Sequence, residues 1–194
     1  FQSSPTQPLV EAMATQLNPP TKNNPRAFLA PKLVAFDLDG TIWTPDMYML
    51  WGGGAPFQTI SSSELRDNRN EPVRLLGISG EILDTIATSE EWKGGTTVAW
   101  VSCTDEPSWA EECMNKFRTP MGVKLVDRVQ EQAIYKANKQ THFRDLKKRT
   151  GIEFEDMVFF DNERGNIDSV KKLGVTSIYC PKGMTRQIWE SGVD

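Results

Sequence analysis

Two aspartates stand two residues apart in this chain, directly after a run of four apolar residues. The acids are Asp37 and Asp39, and a glycine and Thr41 follow them. An apolar run that ends abruptly in acids is typical of a buried strand with polar groups at its carboxyl end. This stretch is therefore the first candidate for a reactive site.

Polar residues also end two later apolar runs, which finish in Ser102 and in Asp161. In an open α/β sheet, ligands bind beyond the carboxyl ends of the strands. One polar residue at one strand end is equally well explained as part of a solvated loop. Because the same pattern recurs at three strand ends, we predict that these residues meet in one site.

The predicted site is rich in carboxylate oxygen and contains neither sulfur nor imidazole. Asp37, Asp39 and Asp161 together are hard, negatively charged ligands, for which Mg²⁺ is the natural partner. A bound cation lets such a pocket receive a phosphate dianion that the acids alone would repel. A carboxylate beside the metal can then attack phosphorus, and water hydrolyses the resulting aspartyl phosphate.

Strands and helices alternate along the chain and must position these residues. Strands are predicted at 33–36, 96–101, 123–129, 157–160 and 175–179, and helices at 79–92, 106–117, 138–149 and 166–173. Ser79 is the expected N-cap of the first helix, and Gly151 is the expected stop of the third. This alternation predicts an α/β, Rossmann-like parallel sheet with helices on both faces.

Little of the chain is available to cover the site. Residues 44–74 contain a Gly-Gly-Gly run, prolines and serines, and are expected to form a loop or a short hairpin. We therefore predict a minimal cap domain or none. Trp43 and Trp51 flank the part of this loop that is expected beside the site, and they could either contact substrate or pack in the core.

Composition excludes several classes of function. With 26 acidic and 22 basic residues the formal charge is −4, which argues against nucleic acid as a general partner. Three separated cysteines and one histidine, His142, argue against a disulfide framework and a zinc site. No apolar run approaches the roughly 18 residues of a membrane helix. We expect a soluble intracellular protein, cytoplasmic or organellar, without membrane insertion.

The first 31 residues differ in composition from the rest. Six prolines stand there among Ser, Thr, Gln and Asn, which predicts an arm at 1–31 followed by one domain at 32–194. Such an arm would lie on its own domain or on a protein partner. The initial Phe-Gln-Ser-Ser-Pro resembles the mature ends left by some plastid-import signals, so a plastid location is one hypothesis.

The motifs resemble those of a known superfamily. Asp37-Leu-Asp39-Gly-Thr41 matches DxDxT, the first motif of the haloacid dehalogenase superfamily of phosphotransferases. A later stretch resembles more narrowly the eukaryotic magnesium-dependent phosphatase family, through Thr141-His-Phe143, Lys147, Gly151, Phe159-Phe-Asp161, Glu163, Asn166, Leu173-Gly-Val-Thr176 and Gly183-Met184. The similarity covers roughly residues 32–190. It implies a haloacid dehalogenase-type fold.

The resemblance also implies roles for the three acids. Asp37 would be the nucleophile and a magnesium ligand. Asp39 would be the general acid and base, with its backbone carbonyl on the metal, and Asp161 would be the third ligand. The second acid separates a phosphatase from a dehalogenase, whose leaving halide needs no proton.

Three further residues are implied to bind the phosphate or its loop. Ser102 would donate a hydrogen bond to a phosphoryl oxygen, and Thr41 would support the loop geometry. Lys139 would neutralise charge on the transferring group. Lys136 lies three residues away, and we favour Lys139 because it keeps the family spacing to the Thr-His-Phe stretch.

The sequence departs from the family at one position. Members commonly have a second acid after the motif aspartate, whereas this chain has Asn162. An amide can still orient a metal-bound water, and the sequence leaves open whether the exchange weakens magnesium binding. Glu163 is expected to support the loop and is a candidate to replace the lost charge. His142 is expected to be structural.

Together these features predict a magnesium-dependent phosphomonoester hydrolase that acts through an aspartyl phosphate. The expected substrate is a phosphorylated small molecule, such as a sugar phosphate, or a protein phosphotyrosine. The alternative is a protein of this fold that serves as an accessory subunit of a larger assembly with little or no catalysis.

Overall fold

The computed structural model describes residues 29–92 and 94–193. The predicted arm lies almost wholly outside the described residues. Within them, no helix has the length and apolar character needed to cross a membrane.

Nine strands and five α-helices are present in the described part of the chain, together with short 3-10 turns. The strands are β1 Leu33–Phe36, β2 Trp43–Thr44, β3 Gln58–Thr59, β4 Glu64–Arg66, β5 Pro72–Leu75, β6 Thr97–Ser102, β7 Glu131–Ile134, β8 Met157–Asp161 and β9 Thr176–Tyr179. The helices are α1 Ser79–Thr88, α2 Pro107–Lys116, α3 Lys139–Thr150, α4 Arg164–Lys171 and α5 Arg186–Val193.

Five of the strands form one parallel sheet in the order β7-β6-β1-β8-β9. The strand that precedes the two aspartates, β1, is central, and Ala35 lies in register between Ala99 of β6 and Phe159 of β8. The predicted Rossmann-like parallel sheet is confirmed. Its centre consists of the three strands whose ends carry the candidate site residues.

The sheet is buried on both faces, which explains its continuous apolar runs. Successive β1 residues enter different clusters: Leu33 packs on one face with Phe143 of α3, and Phe36 packs on the other with Trp100 and Trp189. All four β1 residues are fully buried. The strand that supports the acids is therefore held on both sides.

The predicted strand at 123–129 is wrong. Leu125 and Val126 belong instead to a 3-10 turn, Leu125–Arg128, and Leu125 is buried against the neighbouring helices. The strand follows as β7, which among the described residues pairs only with β6, and Ala133 is its one buried residue. An edge strand needs few apolar residues. The apolar pattern therefore indicated burial in this region correctly but misplaced the strand.

The structure confirms one of the two predicted helix ends and contradicts the other. The expected stop at Gly151 is confirmed: it ends α3 with a φ of +71°, where glycine is favoured. Ser79 is not an N-cap; it is the first residue of α1, and its hydroxyl donates back to the carbonyl of Leu76 at 2.6 Å. Helix α5 was not predicted.

Residues 43–75 form a four-stranded antiparallel sheet, here called the flap, with the order β2-β5-β4-β3. The expected loop or short hairpin is therefore more structured than predicted. Asp67 holds the turn by accepting hydrogen bonds from the amides of Gly54, Arg69 and Glu71 at 2.7–2.9 Å. These strands have two to four residues each, too few for a periodic signal.

Candidate active site

The carboxyl ends of β6, β1 and β8 lie side by side and bring the predicted residues together. Asp37 follows β1 directly, and its amide donates to the carbonyl of Phe160 at 2.9 Å, which prolongs the ladder by one residue. Ser102 and Asp161 are the last residues of β6 and β8. All three are buried: their exposed fractions are 8%, 3% and 0% for Asp37, Ser102 and Asp161.

Lys139 places a buried cation between two of these acids. It is the first residue of α3, whose N-cap Asn138 accepts a hydrogen bond from the helix. Its ammonium donates a hydrogen bond to an oxygen of Asp37. It donates a second one to the carbonyl of Val101, at 2.6 Å, and lies 3.5 Å from an oxygen of Asp161.

Lys136, the other lysine considered, lies elsewhere. Its side chain is 80% exposed and pairs with Asp105, which is itself 65% exposed. The Lys139 side chain is only 2% exposed. Of these two lysines, Lys139 is the one that contacts the acids.

Both oxygens of Asp39 accept hydrogen bonds from the start of the flap. The indole N–H of Trp43 donates to Oδ1 at 2.7 Å, and the amide of Met47 donates to Oδ2 at 3.1 Å. These donors favour the carboxylate, but burial outweighs them and raises the pKa of Asp39 to about 6. Asp39 can therefore take up and release a proton near neutral pH.

Asp161 carries a charge that its surroundings compensate only partly. It accepts hydrogen bonds from the amide of Glu163 at 2.6 Å and from the side chain of Asn166 at 3.0 Å. Burial and the nearby charge of Asp37 raise the pKa of Asp161 to about 7, although Lys139 and these donors act in the opposite direction. Two carboxylates buried this close to each other favour the approach of a cation.

Thr41 and Asn162 lie behind the acids. The Thr41 hydroxyl accepts a hydrogen bond from the backbone N–H of Asn162 at 3.1 Å and lies 3.5 Å from Asp37 Oδ2. Thr41 is fully buried. Gly40 has a φ of +71°, and a Cβ there would lie 2.2 Å from Asn162 Nδ2. The Asn162 side chain thus packs on the loop backbone at a position where only glycine fits.

A cavity of about 280 Å³ opens above these residues. Of the predicted set, its wall includes Asp37, Asp39, Ser102, Lys139 and Glu163. The other residues that line it are Asp46, Tyr48, Cys103, Thr104, Asp105, Glu106 and Asn166.

The additional wall residues mostly come from loops. The sequence did not single out the acids Asp46, Asp105 and Glu106, because a single acid in a loop forms no recognisable pattern. Cys103, Thr104, Asp105 and Glu106 directly follow Ser102, so adjacency to a strand end was the signal that could have identified them. Tyr48 comes from the flap and had no such signal.

The donors at this edge fit a hard dication. Asp37 and Asp161 supply two buried carboxylates, while the Asp39 carboxylate is engaged by the flap. In the part of the chain that the structure describes, no donor reaches the Asp39 carbonyl oxygen, and no group of three His, Cys, Asp or Glu side chains forms a metal cluster. Two carboxylates with a free carbonyl suit Mg²⁺, which keeps several waters.

The histidine and the two flanking tryptophans have separate environments. His142 is buried, and its Nε2 lies 2.9 Å from the carbonyl of Tyr135, whose ring it meets edge-on. It does not line the cavity, in agreement with a structural role. Trp43 is fully buried, whereas Trp51 is 80% exposed.

Comparison with known proteins places the chain in a family. A family model described as Acid Phosphatase matches residues 29–194. Magnesium-dependent phosphatase 1 of Homo sapiens is 35% identical over 164 residues, which covers 84% of this chain and 86% of that protein. A HAD-like hydrolase superfamily protein of Schizosaccharomyces pombe is 29% identical over 154 residues, covering 75% of this chain and 83% of the relative.

Solved structures share the fold. A haloacid dehalogenase-like hydrolase from Xanthomonas campestris aligns with a TM-score of 0.53 at 15% identity, covering 80% of this chain and 85% of its own. A HAD family enzyme from Bacteroides thetaiotaomicron, in complex with magnesium and inorganic phosphate, aligns with a TM-score of 0.51 at 15% identity, covering 80% and 96%. The chain therefore belongs to the acid phosphatase family and is a haloacid dehalogenase-type phosphatase related to human magnesium-dependent phosphatase 1.

Proposed function

We propose that this phosphatase hydrolyses phosphomonoesters with Mg²⁺, and that Asp37 is its nucleophile. One observation carries the proposal: Asp37 lies in the cavity wall, bonded to the buried ammonium of Lys139, with a second acid two residues along the chain. The name of the human relative and the magnesium and phosphate in the bacterial structure support it.

The metal would be held by Asp37, Asp161 and the backbone carbonyl of Asp39. When bound, Mg²⁺ supplies positive charge that offsets the repulsion between the acids and a phosphate dianion. The Lys139 ammonium is preorganised to stabilise the charge that develops on the phosphoryl oxygens, and the Ser102 hydroxyl can donate to one of them.

The chemistry of the chain's own groups then runs in two steps. An oxygen of Asp37 attacks phosphorus, the bond to the leaving oxygen breaks, and protonated Asp39 gives its proton to that oxygen. Asp37 then carries the phosphoryl group. Asp39, now ionised, takes a proton from water, which attacks phosphorus and releases inorganic phosphate and free Asp37.

The rim of the cavity bears on the substrate. Asp46, Glu106 and Glu163 line it, and no ion pair involves any of the three among the described residues. An acidic rim repels a second anionic group carried by the leaving group of the substrate. We therefore propose singly phosphorylated substrates, either a protein phosphotyrosine beside Tyr48 of the flap or a sugar monophosphate, and expect sugar bisphosphates to be hydrolysed less efficiently.

The test is hydrolysis of p-nitrophenyl phosphate with and without Mg²⁺. Asp37→Asn should abolish magnesium-dependent turnover because an amide cannot attack phosphorus. Asp168→Asn, an exposed acid on α4, is the matched control and should retain activity. Full activity of the Asp37→Asn protein would overturn the mechanism. An inactive wild-type protein would instead favour the accessory-subunit alternative.

A further inference from the structure

The Trp43 side chain is fully buried, and its indole makes one specific polar contact. Its N–H donates to Asp39 Oδ1 at 2.7 Å. We propose that Trp43 is a positioning residue, which together with the Met47 amide fixes the Asp39 carboxyl as the proton donor to the leaving group. This inference rests on the proposed phosphatase mechanism.

Packing holds the Trp43 indole in place. The residue begins β2, where it pairs with Leu75 of the flap, and its ring stacks on Phe117 at 6.1 Å with an interplanar angle of 24°. The backbone folds back tightly, since the Gly40 amide donates to the Trp43 carbonyl at 2.8 Å. The indole is therefore held both by the flap and by Phe117, the residue that follows α2.

Two donors determine where the proton of Asp39 can lie. An indole N–H only donates, and so does a backbone amide, so neither bond reverses when Asp39 is protonated. Trp43 occupies one lone pair of Oδ1, and Met47 occupies one lone pair of Oδ2 at 3.1 Å. The acidic proton is thereby confined to the remaining lone pairs, and Asp39 lines the cavity.

A buried indole in this protein does not always find a partner. Trp100 is also fully buried, yet its Nε1 has no hydrogen-bond partner in the described part of the chain. The Trp43 bond is therefore a feature of its position beside Asp39 and not a general property of the core. Trp100 also supplies a matched control.

The consequence depends on the leaving group. p-Nitrophenolate leaves without a proton because its nitro group stabilises the anion. Phenyl phosphate releases a phenol with a pKa close to that of tyrosine, about 10, and needs the proton more. If the Asp39 carboxyl is no longer held in position, hydrolysis of phenyl phosphate should slow much more than hydrolysis of p-nitrophenyl phosphate. General damage to the fold should slow both reactions alike.

The experiment measures kcat/KM of Trp43→Phe and Trp100→Phe with both esters, because this parameter reports the steps through phosphoryl transfer to Asp37. For Trp43→Phe we expect a loss on the order of tenfold larger with phenyl phosphate than with p-nitrophenyl phosphate. For Trp100→Phe we expect equal changes with the two. Equal losses for Trp43→Phe would overturn the inference.

A second pair of variants covers the case in which Trp43→Phe does not fold. Met47 is the first residue of a 3-10 turn, and Asp46 before it is extended, so proline is tolerated at position 47. Met47→Pro removes the amide donor, and Met47→Ala keeps it while losing the same buried side chain. Met47→Pro alone should show the preference against phenyl phosphate; the same profile for both variants would count against the inference.

The outcome is separable from the proposed function. If wild-type protein hydrolyses neither ester with Mg²⁺, the proposed function fails. If wild-type protein is active and Trp43→Phe and Met47→Pro reduce both esters alike, the function stands and the positioning role of Trp43 is wrong.

Discussion

Lys139 is the residue whose replacement tests the electrostatics of the site most directly. Lys139→Met keeps an unbranched side chain and removes the ammonium that bonds Asp37 and the Val101 carbonyl and lies 3.5 Å from Asp161. Two buried carboxylates and a buried carbonyl then lose a protein cation. We expect a large loss of stability when no metal is bound.

The magnitude follows from the geometry. Two unit charges 3.5 Å apart interact by about 5 kcal/mol at an effective dielectric constant of about 20. Breaking a buried ion pair by removing one partner typically costs about 3–5 kcal/mol. Because Asp161 has a pKa of about 7, it can take up a proton and relieve part of the cost. We therefore expect a loss of about 3–5 kcal/mol in the free energy of unfolding at neutral pH.

The assay is urea unfolding followed by circular dichroism, with EDTA present, for wild type, Lys139→Met and Lys136→Met. Lys136 is the control because its exposed ion pair with Asp105 should contribute less than about 1 kcal/mol. Excess Mg²⁺ should restore part of the lost stability in Lys139→Met. Equal stability losses for the two lysine variants would refute the reasoning.

Two further predictions concern the loop that carries the acids. Gly40→Ala should lower the free energy of unfolding, measured by thermal unfolding, by on the order of 2 kcal/mol, because alanine is strained at a φ of +71° and its Cβ displaces Asn162. Gly165→Ala on α4, where a Cβ meets nothing within 4 Å, is the control and should raise the free energy of unfolding by up to about 1 kcal/mol. Equal effects of the two variants would contradict this prediction. Folding raises the pKa of Asp39 from 3.8 to about 6, so the ionised carboxylate costs stability above about pH 6 and not below about pH 4. Without metal, the free energy of unfolding of Asp39→Asn should therefore rise relative to that of wild type by up to about 3 kcal/mol as the pH increases from about 4 to about 7. Urea unfolding at several pH values measures this difference, and a difference that does not change with pH would contradict the raised pKa of Asp39.

Much of the fold was predictable because its signals are local. The β1 run reads as a strand buried on both faces, and the structure confirms this. Gly151 ends α3 through its own backbone conformation, which needs no information from elsewhere in the chain. The 123–129 segment shows the limit, since an apolar run records burial and does not say whether a strand or a 3-10 turn provides it.

The flap was beyond prediction for a different reason. Its strands are too short to show a period of two, and their stability comes from pairing with each other and from contacts with α2. Glu112 of that helix accepts a hydrogen bond from the Phe57 amide at 2.8 Å, across 55 residues of sequence. Pairings of this kind leave no mark within a short window of residues.

The sequence by itself determined which chemistry is available. The types and spacing of Asp37, Asp39, Ser102 and Asp161 predicted a carboxylate site at one sheet edge, because side chains that follow parallel strands must share that edge. Tertiary structure decided how each group is used. It brought Lys139 to Asp37 across 102 residues and left Lys136 in solvent. It also turned both oxygens of Asp39 towards the flap, since burial and hydrogen-bond partners are set by atoms distant in sequence.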